Sequence, residues 1–213
     1  MRIVLVFVFI KLTIFSQKVN FEITFTPEFN SLTLSNLVGQ EVVYPKMGLS
    51  AGLNLEYRLT KKCSIKTGVG YGLKNYNHTH SGLIFSTDID PQTGITSESK
   101  IVSKIIFSEI QIPIILKYWV FNKLFLTGGI ELVCPFANSS ERVIYYGNGT
   151  TEKISNSHAS PLNLAPTFSL GYGFAIKDKL RMSIEPMFKY YLKDYTISAS
   201  HLYNLGLRTT IRL

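Results

Sequence analysis

The 213-residue chain has two cysteines, one tryptophan and four histidines, and each scarcity removes a class of chemistry. Cys63 and Cys134 have no metal-ligand spacing between them. They fall at opposite ends of the strands proposed below, beyond the Cα separation a disulfide needs, so both are read as free and structural. The apolar run Ile3 to Ile10 is too short to cross a bilayer as a helix. Basic residues outnumber acidic ones, 22 to 14, but they are spread along the chain and do not cluster as a nucleic-acid face would. The most informative lack is of charge along one stripe. From Phe21 to the C-terminus, about eight segments alternate in character, and in each the ionisable side chains keep to a single parity.

What is present gives the stripe its meaning. From Glu109 to Val120, Ile110, Ile112, Ile114, Leu116, Tyr118 and Val120 point one way while Glu109, Gln111, Pro113 and Lys117 point the other. Successive strand side chains face opposite sides of a sheet, so the segment has an oily wall and a wet wall. A dry soluble core does not hold unpaired Lys, Arg and Glu. The pattern therefore predicts an all-β fold: an eight-stranded antiparallel up-and-down transmembrane β-barrel with lipid outside and a polar interior. A soluble lipocalin-like barrel, with the oily stripe around a ligand cavity, is the competing architecture.

The N-terminus is a separate element. Met1-Arg2, the apolar run, Lys11 and Ser16 before Gln17 read as a signal peptide over residues 1–16, with the barrel domain over 17–213; a signal anchor is the alternative. Without Arg2 and Lys11 the mature chain carries 20 basic and 14 acidic residues, a net +6 that suits a surface lying against anionic lipid headgroups. Strands are expected at 21–29, 47–59, 63–75, 105–120, 124–136, 163–177, 180–193 and 203–213. Thr60 to Lys62, Phe121 to Lys123 and Asp178-Lys179 are tight turns, whereas 30–46, 76–104 and 137–162 are long polar loops. Short periplasmic turns and long outer loops are the asymmetry of outer-membrane barrels.

Parity sends Leu53, Val69, Ile130, Phe168, Phe188 and Leu205 outward, among others. Glu22, Glu28, Lys66, Lys74, Arg212 and several glycines go inward. A charge network of Glu56, Arg58, Lys117, Glu131, Arg181, Glu185, Lys189 and Arg208 is expected to fill the interior, because a lumen of about eight strands is only wide enough for side chains. Bulges or kinks are expected at Pro113 and Pro186, where a ladder donor is missing. Tyr57, Tyr118, Trp119, Tyr172, Tyr190 and Tyr203 are candidate interfacial girdles.

The stretch Glu109-Ile-Gln-Ile-Pro-Ile-Ile-Leu-Lys-Tyr118, its short turn, and Leu124-Phe-Leu-Thr-Gly-Gly-Ile-Glu-Leu132 resemble the PorT-like outer-membrane β-barrel family of Bacteroidota. So do Ser16-Gln17 and the closing Asn204 to Leu213, although the family usually ends on an aromatic and this chain ends on Leu213. The resemblance implies a barrel in the cell outer membrane, handled by the barrel assembly machinery; some members serve secretion and gliding.

Catalytic chemistry finds little footing. His158-Ala-Ser160 has a His-x-Ser spacing but no carboxylate partner, and it lies in a polar loop before Pro161. His78 and His80 are two potential ligands without a third, and Asp88 to Gly94 reads as a turn rather than a calcium loop. No catalytic residue, metal site or cofactor is expected, and nucleic acid is not an expected partner. The sequence is read as a monomeric, lipid-embedded interaction or assembly protein. Leu83, Ile84 and Phe85 form a candidate partner loop in a long polar connection, and a lipid-modifying outer-membrane enzyme is the alternative function.

Overall fold

A computed structural model describes residues 19–33, 40–84, 98–156, 162–176, 180–193 and 201–213. The proposed signal peptide, Phe85, Asp88 to Gly94, His158 and Ser160 lie outside these residues. Nine strands follow in order: β1 (Val19–Thr33), β2 (Gln40–Arg58), β3 (Cys63–Leu83), β4 (Ser99–Trp119), β5 (Leu124–Tyr145), β6 (Thr151–Asn156), β7 (Asn163–Ala175), β8 (Arg181–Tyr190) and β9 (His201–Arg212). All pairs are antiparallel. The sheet runs β4-β3-β2-β1-β9-β8-β7-β5, and the β4–β5 pairing closes it into a ring of eight. Closure leaves the ring without unpaired edges, which is what a strand structure requires in hydrocarbon. β6 stands outside the ring, paired only to Ser140–Tyr145 of β5.

The two walls separate as the alternation demands. Phe21, Leu53, Val69, Ile114, Phe168 and Leu205 are exposed, whereas Glu22, Glu56, Lys66, Lys117, Glu131 and Arg208 are buried. A water-soluble barrel would have the reverse arrangement, so the lipocalin-like alternative is excluded. The outward ring systems form two belts. Tyr118 and Tyr172 are exposed near the short turns, and Tyr71 and Phe136 meet at 6.1 Å between centroids nearer the opposite end. Trp119 departs from the expected girdle: it sits on the inward parity of β4, packs on Phe125 at 4.7 Å, and lines the mouth of the lumen.

The prolines act differently from expectation. Pro113 stays in register opposite Glu131, and Pro186 stays in register opposite Leu207. On the other flank of each proline, bridge pairs are skipped without any shift: Thr67↔Ile114 is followed by Gly70↔Gln111, and Ser169↔Met187 by Tyr172↔Ile184. A missing N–H costs one ladder bond on one side, and the neighbouring pairs hold the register. Bulges occur instead between Pro45 and Leu49 in β2, and between β4 and β5, where Ser108 pairs with Ala137 but Glu109 pairs with Pro135.

Each bulge inverts the parity of its strand. In β5 the inward positions change from Glu131 and Val133 to Ile144, and in β2 from Ser50 and Asn54 to Val43. Segments beyond the bulges therefore still turn an apolar residue inward despite the extra residue in the chain. The expected loops 30–46, 76–104 and 137–162 are in large part strand. β3, β4 and β5 contain 21, 21 and 22 residues, about twice the 9–11 needed to cross a bilayer.

Candidate functional site

Twelve charged side chains are buried in the described lumen, six glutamates and six cations. They form three groups along the axis. Nearest the short turns, Arg212 bridges Glu22 and Glu56, Lys117 lies 3.4 Å from Glu56 and 4.0 Å from Glu22, and Lys66 lies 3.7 Å from Glu22. In the middle, Glu131 pairs with Lys189 and accepts from Arg208 at 3.1 Å, and Arg208 also lies 3.7 Å from Glu185. Toward the long strands, Lys74 pairs with Glu28 and lies 3.6 Å from Glu109. Every buried glutamate thus has a cation within reach, as burial of a carboxylate requires.

Neutral donors add to the coordination. Ser64 donates to Glu56 at 2.6 Å, and Ser183 and Thr210 donate to Glu185 at 3.0 and 3.2 Å. Ser50 and Asn204 donate to Glu28 at 2.5 and 2.7 Å; Gln111 and Tyr191 donate to Glu109 at 2.7 and 2.8 Å. These bonds tie β1 to β2, β4 to the segment after β8, and β1 to β9 across the ring. Space for the long side chains comes from glycine. At Gly171 an added Cβ would strike the Phe125 ring and the Glu185 side chain, and at Gly129 it would strike the Ile114 carbonyl.

The lumen is filled. The cavity bounded by Thr24, Glu28, Lys66, Gln111, Glu131 and Arg208 amounts to about 30 Å3, on the order of the space one water occupies. Beyond Glu109, an apolar cluster of Leu32, Tyr76, Phe107, Val133, Tyr191 and Leu202 closes the long-strand side. At the other end lies an open mouth of about 240 Å3 whose floor includes Glu22, Lys117 and Arg212, with Trp119 and Arg181 in its wall. Lys117 Nζ stands 4.8 Å from the Trp119 ring and 4.1 Å from Phe125.

Of the eight residues expected in the network, Glu56, Lys117, Glu131, Glu185, Lys189 and Arg208 are together in the lumen. Arg58 and Arg181 are not: each terminates its strand beside a short turn and is exposed at the mouth. Glu22, Glu28, Glu109, Lys66, Lys74 and Arg212 belong to the network although only their parity pointed inward. Nothing local marks the pairing of residues as distant in sequence as Glu22 and Arg212. Of the candidate loop, Leu83 is half-buried at the end of β3, and Ile84 is exposed. The rings of His78 and His80 lie 6.3 Å apart, and no set of three or more metal-ligating side chains occurs among the described residues. Cys63 and Cys134 are free.

The model of the outer membrane protein beta-barrel domain family matches residues 15–192. Among solved structures, the chain is similar to Ail, the attachment invasion locus protein of Yersinia pestis. The two are 12% identical over 92% of this chain and 99% of that one, with a TM-score of 0.43. It is similar also to Neisserial surface protein A, 12% identical over 91% and 97% of the chains, TM-score 0.41. The outer membrane protease OmpT of Escherichia coli is 9% identical over 92% and 95%, TM-score 0.40. No curated protein matches by sequence.

Proposed function

Because this chain belongs to the outer membrane protein beta-barrel domain family, and so resides in the outer membrane, we propose that it is a non-conducting, non-catalytic barrel that presents a binding surface outside the cell. The observation that carries this reading is the length of β3, β4 and β5. Their excess over the membrane span, together with Gln40–Pro45 of β2 and with β6, makes a sheet that continues beyond the ring. At about 3.3 Å per residue, ten surplus residues rise on the order of 25–30 Å once tilt is allowed for. Such a sheet is a rigid platform, and binding on outer-membrane barrels concentrates where a scaffold carries its connections.

The platform carries apolar side chains that nothing in the ring requires. Val42 and Tyr44 point outward beyond the β2 bulge, and Ile84 and Tyr145 lie at strand ends on the same side of the membrane; all are exposed. The lumen supports the non-conducting part of the reading, since its six glutamates and six cations surround a cavity of only about 30 Å3. A protein partner contacting this platform explains the exposed rings better than lipid does. The resemblance to PorT-like barrels adds secretion or gliding as the processes in which such a partner would act.

The experiment is site-specific photocrosslinking in the native cell, with the probe at Val42, Tyr44 or Tyr145 and a control probe at Ile114 in the lipid-facing wall. A protein adduct at the platform positions and none at Ile114 supports the reading. Adducts confined to probes at the Thr60 to Lys62 turn would transfer the function to the periplasm. Stable, ion-selective conductance of the purified protein in planar bilayers would sink the non-conducting part.

A further inference from the structure

The short-turn end of the barrel is built unlike the rest of the molecule. Arg58, Lys61, Lys62, Lys123 and Arg181 are all exposed there. With Trp119, Val120, Phe121 and Asn122 they border a depression of about 650 Å3, which shares Trp119, Asn122, Lys123 and Arg181 with the 240 Å3 mouth of the lumen. Among the described side chains, the carboxylates nearest this end are Glu22 and Glu56, and they are engaged inside by Lys66, Lys117 and Arg212. The rim cations therefore face a cavity, not an acidic partner within the described chain. The sequence of the segments at the opposite end carries acids and bases in near balance, so the positive excess of the chain is concentrated here.

We infer that this mouth is a docking site for an acidic, partly apolar peptide segment of a periplasmic protein. The inference goes beyond the proposed platform and needs only that the short-turn end faces the periplasm, as it does in outer-membrane barrels. The direction of the opening decides against lipid. Its floor and most of its wall are inward-parity residues such as Lys117, Ser183, Thr210 and Arg212, with Phe174 and Met182 at the edge, whereas bilayer lies against the outward Tyr118 and Tyr172. An occupant must approach along the barrel axis, from water. Its chemistry follows from the lining: a ring of cations selects carboxylates, and the faces of Trp119 and Phe121, the latter 70% exposed, select apolar side chains between them.

Trp119 is the only tryptophan of the chain, so its fluorescence reads the mouth directly. The purified protein is placed in nanodiscs of phosphatidylcholine, open on both faces, and titrated with a ten-residue peptide alternating Glu and Leu. The expected result is a saturable change in Trp119 emission that weakens with added salt and is absent with the Lys-Leu analogue. R58Q combined with R181Q should weaken the binding about tenfold, from two lost rim contacts. K100Q with K104Q, at the opposite end, should leave it unchanged, and both double variants should keep the heat-modifiable gel mobility of the folded barrel. The proposal is overturned by equal response to the two peptides, by loss of binding in the K100Q, K104Q variant, or by no effect of R58Q with R181Q. It is overturned also if phosphatidylglycerol in the disc produces the Trp119 change while the acidic peptide does not. That result would assign the cations to the lipid surface.

Discussion

Glu131 is the residue on which the middle of the lumen depends. It receives Lys189 and Arg208 together, and both cations are buried. Replacing it with glutamine removes the principal charge partner of Lys189, leaving the weaker influence of Glu28 and Glu109, while Arg208 keeps Glu185 at 3.7 Å. Removing one member of a buried pair costs about 3–5 kcal/mol, most of it the uncompensated charge left behind. Folding titrations in urea with lipid vesicles should show E131Q destabilised on that scale. E131Q combined with K189M should recover a large part of the loss, because the orphaned charge is removed as well. Equal destabilisation in single and double variants would mean that the pair is not coupled. R181Q, by contrast, removes an exposed charge and should change stability by no more than about 0.5 kcal/mol. Wall assignment at this scale was legible from parity alone, as Glu56 and Lys117 illustrate. Arg58 and Arg181 share that parity, yet they lie one step past the last ring of partners. Pattern tells which way a side chain points but not whether the wall still has an opposite side at that height.

Strands illustrate a second limit. The bulge at Pro135 to Ala137 hides the continuation of β5, because the parity rule that identified Leu124 to Phe136 fails at the extra residue and the segment beyond reads as loop. The hairpin between β5 and β6 did carry a signal of its own. Asn148-Gly149 is a turn pair, Gly149 has φ of +85°, and Tyr146 N–H donates to the Thr150 carbonyl at 2.9 Å. Because 137–162 reads as one long polar loop, the turn at Asn148-Gly149 passes unnoticed within it. β6 adds nothing to ring closure: the β5–β7 bridges occupy Leu124 to Val133, and β4 covers the other side of β5 as far as Tyr145. Replacing Tyr146 to Asn156 by a short glycine linker should therefore leave folding yield and heat-modifiability intact. Amide exchange should speed up along Ser140 to Tyr145, where six residues lose a bridge partner. Failure to fold would show that β6 supports the ring after all.

Across the whole molecule, the solvent changes along a single strand, and β4 shows where. Ile114 and Val102 share the outward parity of β4 with no bulge within that strand between them; Ile114 is flanked by Thr67 and Ile130, Val102 by Thr79 and Val143. If hydrocarbon covers the band between Tyr118 and Tyr71 and water begins beyond it, an arginine at the two positions meets different media. I114R should cost about 2–4 kcal/mol, the penalty for a cation near the bilayer midplane, while V102R should cost about 0–1 kcal/mol. Urea titrations of vesicle-folded protein measure both. A similar penalty at both sites would raise the membrane boundary past Val102 and remove the platform on which the proposed binding surface rests. Near-neutral cost at both would contradict a lipid-facing wall at Ile114. The same boundary explains why the oily stripe stops where it does. Below it the outward side chains carry no charge, and above it Lys100 and Lys104, on the same parity of the same strand, are exposed. Charge returns to the outward wall of β4 because water does.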